Sequence, residues 1–346
     1  MPHAAKPRIC LVPHLTGIGG MASFQGRLAE GLLARGFEVV YDLSRQPYAA
    51  VLVIGGTREL PALYRARRAG VRVVQRLNGM NWLHRLRPTG ARHYIRAEYG
   101  NWILGTIRAR LAHHIVYQSR FAQSWWERQR GLTPVPCSVA LNGVDLERFT
   151  PHGPHDRPRD RWRLLLVEAR LAGGYELGLE TAAGLLQRLV SLARRPVELQ
   201  VAGRVDPALQ QRWQSQATFP LSFLGQVPPE RIPELNRSAH LLYSADIQAA
   251  CPNAVVEALA CGTPVVSFDT GALPELVTAG SGQVVPYGAD PWKLEAPDLE
   301  SLAAAALHVL HEQAIYREAA RARAQAGLGL DEMVEAYLEA LLPGGA

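Results

Sequence analysis

Lysine is almost missing from this chain. Of its 37 lysines and arginines only Lys6 and Lys293 are lysines, and neither falls where a Schiff-base lysine would reach a site between two domains, which excludes pyridoxal phosphate chemistry. Cysteine is also scarce. Cys10, Cys137, Cys251 and Cys261 have neither CxxC spacing nor the density of a disulfide scaffold, so they read as reduced, structural thiols without a zinc or redox role. No run of about eighteen apolar residues occurs, so no segment reads as a membrane span. The opening MPHAAKPRICLVP lacks a charged start followed by a long apolar run; no secretory signal is read there, and a cytoplasmic location is expected.

What the chain does have is apolar residues in quantity. With 346 residues, 48% of them hydrophobic, it can bury two ordinary cores. Its charge is unevenly spread. Residues 1–150 hold 21 basic against 8 acidic side chains, net +13, and residues 151–346 hold 16 against 23, net −7, which together make the chain's +6. The basic half points to an anionic partner: a membrane surface, an anionic lipid carrier or nucleic acid. No helix-turn-helix, RNA-recognition or zinc-finger pattern accompanies the charge, so nucleic acid is set aside.

Strand and helix signals alternate throughout. In the first half RICLVP, FEVVY, VLVIGG, VRVVQR, HIVYQS and CSVAL read as strands. MASFQGRLAEGLLARG, RELPALYRARRAG, the stretch from Ala91 to His113 and SRFAQSWWERQRG read as the helices between them. TPHGPHDRPRD, rich in proline and charge, then marks a linker over residues 151–160, between a first domain at 1–150 and a second at 161–330. The second half offers RLLLVEA, VELQVAG, LSFLG, HLLYSA, PVVSF and QVV as strands, with helices starting near Tyr175, Pro207, Pro228, Pro252 and Leu273. The last helix, residues 331–346, is expected to pack back on the first domain. The fold class predicted is α/β, two doubly wound parallel-sheet (Rossmann-like) domains facing a cleft, with the ligand at the carboxyl ends of the strands.

The stretch AACPNAVVEALACGTPVVSFDTG, residues 249–271, carries the most chemistry. Pro252 suits the first helical position and leaves Cys251 as the cap. The amides of Asn253, Ala254 and Val255 would then point out of the helix end toward phosphate oxygens. Glu257 lies three and four residues beyond Ala254 and Asn253, on the same helix face, where a carboxylate can accept two hydrogen bonds from a ribose diol. An ordinary helix-strand unit with a surface glutamate would leave the same pattern.

The loop after the first strand, HLTGIGGMAS, supports two readings. Gly17, Gly19 and Ala22 match the dinucleotide fingerprint, and Asp42 ends the second strand where a ribose-binding acid would sit, as in a nicotinamide-dependent oxidoreductase. The same glycines would equally admit the phosphates of a ligand held mainly by the other domain.

Four segments, GIGGMAS, IVYQSRFAQSWW, NGVDLERF and CPNAVVEALACGTPVVSFDTGALPELV, occur in an order that resembles the family 4 glycosyltransferases of group 1 type, which have the GT-B fold. The resemblance covers nearly the whole chain, and its last block is the specific one. It implies a retaining, metal-independent enzyme without a cofactor that moves a sugar from a nucleoside diphosphate sugar to a saccharide or lipid-linked acceptor, as in cell-surface glycan synthesis. By position it gives Arg170 and Glu257 the catalytic roles, Arg170 neutralising the donor diphosphate and Glu257 holding its ribose. Gly19, Gly20, Arg204, Cys251, Asn253, Ala254, Val255 and Glu275 fall on the donor side, and Asn78 and Asn81 on the acceptor side. The alternatives are a non-catalytic sugar-nucleotide or glycan-binding module and the oxidoreductase.

Departures from the family pattern are specific. Eight residues before Glu257, where the family has the first glutamate of its pair, the one for the transferred sugar, stands Ala249, and the lysine expected five residues after Arg170 is Tyr175. On the basic half, Arg108, Arg110, Arg120, Arg128 and Arg130 flank Trp102, Trp125 and Trp126, a combination suited to peripheral contact with an anionic membrane, on the inner face if the protein is cytoplasmic. Buried tryptophans with solvated arginines around them are the competing reading.

Overall fold

Short runs rich in branched side chains, alternating with longer amphipathic ones, favour a parallel sheet covered by helices on both faces. The computed structural model describes residues 6–17, 19–87, 90–171, 176–278 and 280–344. The chain divides into two compact units, residues 1–143 with 330–346, and residues 144–329.

The first unit runs β1 (Arg8–Val12), α1 (Gly20–Ala34), β2 (Glu38–Val40), β3 (Ala50–Ile54), α2 (Leu60–Arg68), β4 (Arg72–Leu77), α3 (Ala91–Thr106), β5 (His114–Tyr117), α4 (Arg120–Arg130) and β6 (Cys137–Val139). Its sheet is parallel, in the order β2-β1-β3-β4-β5-β6. Side chains alternate across a strand, so β1 sends Ile9 and Leu11 to one core and Cys10 to the other. The order reverses between β1 and β3, and such a reversal is where doubly wound sheets bind ligands.

The second unit runs β7 (Trp162–Leu171), α5 (Glu176–Leu192), β8 (Val197–Val205), α6 (Pro207–Gln216), β9 (Leu221–Gly225), α7 (Ile232–Ser238), β10 (Leu241–Tyr243), α8 (Asn253–Ala260), β11 (Val265–Phe268), α9 (Leu273–Leu276), β12 (Gly282–Val285), α10 (Leu299–His311) and α11 (Gln313–Gln325). The sheet order is β12-β11-β10-β7-β8-β9, all parallel, with its reversal between β7 and β10. Leu164 and Leu166 of β7, Leu199 and Val201 of β8, and the inward faces of α5 and α10 share one core.

The structure departs from the sequence reading in three places. The division falls at Gly143 and Val144, ahead of the expected linker. Residues 150–160 are strapped to the second unit: Arg237 donates to the carbonyls of Thr150 (3.3 Å) and Pro154 (3.0 Å), and Ser238 Oγ accepts from the Asp156 amide (2.9 Å). A segment this rich in proline can be ordered by side chains that reach its free carbonyls, which composition alone does not reveal. The helix expected from Ala91 to His113 changes to a π-type turn over Ile107–Leu111. The basic-aromatic surface is also different. Trp125 and Trp126 are buried, and Arg108 is buried with them, donating to the Tyr117 hydroxyl and the Gly131 carbonyl, while Trp102 stays exposed.

The chain returns to the first unit with α12 (Leu330–Leu341), whose Met333, Val334 and Tyr337 join Phe24, Leu28 and Leu32 of α1 in one core. Gly31 makes the close contact. A Cβ there would lie 2.4 Å from Val334 Cγ2, so the two helices approach at a distance only glycine permits. Arg35 adds ion pairs to Asp331 and Glu335, both at 2.7 Å and partly exposed. Gly31→Val is expected to lower stability by about 1–3 kcal/mol through overpacking, read as a lower urea midpoint. Arg35→Ala should lower stability by about 1–2 kcal/mol, read from the same midpoint, because it removes two solvated pairs and a part-buried bond to the Gly31 carbonyl.

Candidate functional site

The carboxyl end of β7 is irregular. Between Val167 and Arg170 the strand carries one residue more than β8, a bulge that displaces Glu168 and Ala169 from the regular ladder. Gly203 makes this possible. Its φ is +140°, and a Cβ there would meet the Glu168 carbonyl oxygen at 1.8 Å. Beyond the bulge the ladder resumes with Arg170 opposite Arg204 and Leu171 opposite Val205. Partners in register point to the same face, so two exposed arginines stand side by side at the ends of adjacent strands. Neither guanidinium has a hydrogen-bond or ion-pair partner among the described residues.

On the other flank of β7 lies β10, across the reversal, and α8 follows from it. The helix begins at Asn253, with Pro252 rather than Cys251 at the cap position, and no side chain caps it. Val255 is not an open donor, because its amide bonds the Pro252 carbonyl at 3.2 Å. The Ala254 amide has no protein acceptor among the described residues. Glu257 is 8% exposed, on the helix turn behind these amides, and Cys251 and Val255 are buried beside it.

The connection from β10 to α8 is held by the loop after β11. Gln248 takes a φ of +64° and its Oε1 accepts the Gly271 amide at 3.1 Å, while the Ala249 carbonyl accepts the Ala272 amide at 2.8 Å. Gly271 is required there, since a Cβ would lie 2.5 Å from the Ala249 amide nitrogen and carbonyl oxygen. Ala249 thus contributes backbone to this contact rather than a reaching side chain. Glu275 lies in the short α9, whose carbonyls at Glu275 and Leu276 accept from Arg323. Nothing in the sequence singled out Gln248; its role depends on a loop 23 residues away. Tyr175 lies outside the described residues.

In the first unit, Gly19 caps α1 and Gly20 begins it, directly after β1 at that sheet's own reversal. An added Cβ at Gly19 meets nothing within 4 Å, so the backbone is accessible there. Asn81 is held by a reciprocal pair with Asn101, and the Asn78 carbonyl accepts Trp126 Nε1 at 2.7 Å. Asp42 bonds the Ser44 amide at 2.8 Å. Among the described residues no three His, Cys, Asp or Glu side chains gather as a metal site.

Glu168 and Asp246 approach each other at the reversal between β7 and β10. Both residues keep some accessible surface, yet protein atoms surround each carboxyl, and desolvation pushes both carboxyls above the usual carboxylate range. Their mutual repulsion adds to the rise at Glu168. In the folded state the pair therefore holds a proton that the unfolded chain releases. Its contribution to stability is present below the ordinary carboxylate range and is lost as pH rises through the raised values. Asp246→Asn, which removes one charge at constant shape, should raise the melting temperature at about pH 8 and have a smaller effect at about pH 5.

A family model described as Glycosyl transferases group 1 matches residues 169–312. GDP-mannose-dependent alpha-(1-6)-phosphatidylinositol dimannoside mannosyltransferase of Mycobacterium tuberculosis is 33% identical over 181 residues, 49% of this chain and 44% of that protein. D-inositol 3-phosphate glycosyltransferase 1 of Catenulispora acidiphila is 34% identical over 183 residues, 46% of this chain and 42% of that protein. The match spans less than half the length of these curated relatives. Among solved structures, WaaG, a glycosyltransferase involved in lipopolysaccharide biosynthesis, is similar with a TM-score of 0.72 at 15% identity, covering 97% of this chain and 100% of that one. Anabaena HepE, solved with UDP and glucose, gives 0.69 at 16% identity, covering 97% and 99%. At such identities the likeness concerns the fold. Residues 169–312 thus match the glycosyl transferases group 1 model, on a chain whose two units have the GT-B fold.

Proposed function

We propose that this chain is a retaining glycosyltransferase that moves a sugar from a nucleoside diphosphate sugar to a saccharide or lipid-linked acceptor, in cell-surface glycan synthesis, without a metal or other cofactor. The observation that carries this reading is the in-register pair of Arg170 and Arg204, unneutralised within the described protein, beside the reversal from which α8 starts. Two adjacent guanidiniums and a helix start provide strong recognition for a diphosphate. The names of the relatives agree in kind: one uses GDP-mannose, another was solved with UDP.

The chemistry follows from charge. Breaking the anomeric C–O bond leaves negative charge on the diphosphate, and donors already aimed at that position lower the barrier. Arg170 and Arg204 supply that stabilisation, the Ala254 amide adds to it, and Glu257 accepts from the ribose hydroxyls. With the departing phosphate taking the acceptor proton on the side it leaves, retention needs no separate base. Ala249 favours a second reading, donor binding without turnover, because a side chain at that position cannot bond the sugar.

Incubation with UDP-, GDP- and ADP-sugars, followed by calorimetric binding and product assays, separates the two. Arg170→Ala and Arg204→Ala are each expected to lower kcat/KM about a hundredfold, the effect of losing roughly 3 kcal/mol of transition-state stabilisation. Both should also weaken nucleoside diphosphate binding. Undiminished binding in both variants would overturn the site, and binding without product would establish the second reading.

A further inference from the structure

Helix α3 turns a row of large apolar side chains toward water. Ile95, Tyr99 and Trp102 are 68%, 46% and 52% exposed. Spaced four and three residues apart, they form one stripe along a 16-residue helix, with the Tyr99 and Trp102 rings stacked at 5.8 Å. The helix's opposite side is the buried one, through Ala97 and Asn101. Three large side chains in a row toward water are unusual, since exposed apolar residues are normally scattered.

The charge beside the stripe has one sign. Residues 85–102 contain four arginines (Arg85, Arg87, Arg92 and Arg96) against one glutamate, net +3. That glutamate, Glu98, is engaged by Arg85 through two bonds of 2.6 and 3.0 Å and by His84 at 2.8 Å. Arg92 and Arg96 flank the stripe on the same exposed side, and the first turn of the helix holds no acid, so its positive end is not countered. Leu86, in the turn before the helix, is exposed as well.

We infer that α3 is a membrane-docking helix, which lies on an anionic bilayer with Ile95, Tyr99 and Trp102 in the interfacial layer and Arg92 and Arg96 among the headgroups. A tyrosine and a tryptophan are the side chains suited to that layer, because each has an apolar ring and a polar edge. Arginine stems can bury against the acyl boundary while their guanidiniums meet phosphate. The match is one of charge sign, apolar width and helix length together. The inference does not depend on which sugar nucleotide the second unit takes, or on whether transfer occurs.

The test is cosedimentation of the full chain with vesicles of phosphatidylcholine alone and of phosphatidylcholine mixed with phosphatidylglycerol. Binding is expected only to the mixed vesicles, falling as salt is raised. Arg92→Gln with Arg96→Gln should weaken it by roughly thirtyfold, since each lost arginine is worth about fivefold near an anionic surface. Ile95→Asp should also release the protein, and the lipid-induced blue shift of tryptophan emission should disappear in Trp102→Phe. Leu132→Asp, at another exposed apolar residue, is the control and should bind normally. Unchanged melting curves keep the stripe variants interpretable. The proposal is overturned by failure to bind mixed vesicles, by equal binding to both kinds, by stripe variants that bind like the parent, or by a dimer in sedimentation velocity that Ile95→Asp dissolves.

Discussion

Arg170 and Arg204 repel one another. They stand opposite each other at the ends of β7 and β8, and nothing among the described residues neutralises them. In water such a pair costs about 1 kcal/mol or less, but the arrangement persists only because the strands beneath it are set by burial. Leu164, Leu166, Leu199 and Val201 fix the register of the two strands from inside. The bulge at Glu168 then shifts β7 by one residue and brings the second arginine level with the first. A glycine at 203 is what lets the bulge exist, because any larger residue would collide with the displaced carbonyl. The site's electrostatics thus rest on a packing constraint.

The same logic reaches α8. Its position comes from the strand order, which places β10 next to β7 although residues 172–240 separate them in sequence, and its entry loop is held by Gln248 and Gly271. Arg321 ties the other end, donating to the carbonyls of Ala260, Phe149 and Leu146, so the segment after the unit boundary is anchored to the C-terminal end of α8. Guanidinium groups meeting helix-end and loop carbonyls recur in this unit, at Arg237 and Arg323 as well. In a chain with two lysines, arginine does this structural work too, which is why a simple count of basic residues overstates the charge free to meet a partner.

The first unit illustrates the point. Its formal excess is large, yet Arg108 is buried on Tyr117, Arg67 bonds the carbonyls of Leu111 and Ala112, and Arg72 bonds the carbonyl of Ala340. Tryptophan behaves likewise: Trp125 packs over Gly79 and Trp126 is fully enclosed, while Trp102 remains outside. The charged and aromatic surface that does face water is therefore smaller than composition suggests, and Trp102 of α3 is the tryptophan of the three that stands on it.

Much of the architecture was legible in the sequence. Strands with apolar residues on both faces, helices with one apolar stripe, and glycines after strand ends are local patterns that follow from periodicity, and they specified two parallel α/β units. The block around Glu257 was legible for the same reason, since a helix start and the residues one turn along it are neighbours in sequence. What the sequence could not determine is whatever depends on contacts between distant segments: the true boundary at Gly143, the strapping of residues 150–160, the Val255 amide already used by Pro252, and the pairing of Glu168 with Asp246. The alignment of Arg170 with Arg204 belongs to this second group. It is decided by strand register and one bulge, and register is a property of two chains of backbone packed together, which neither strand encodes by itself.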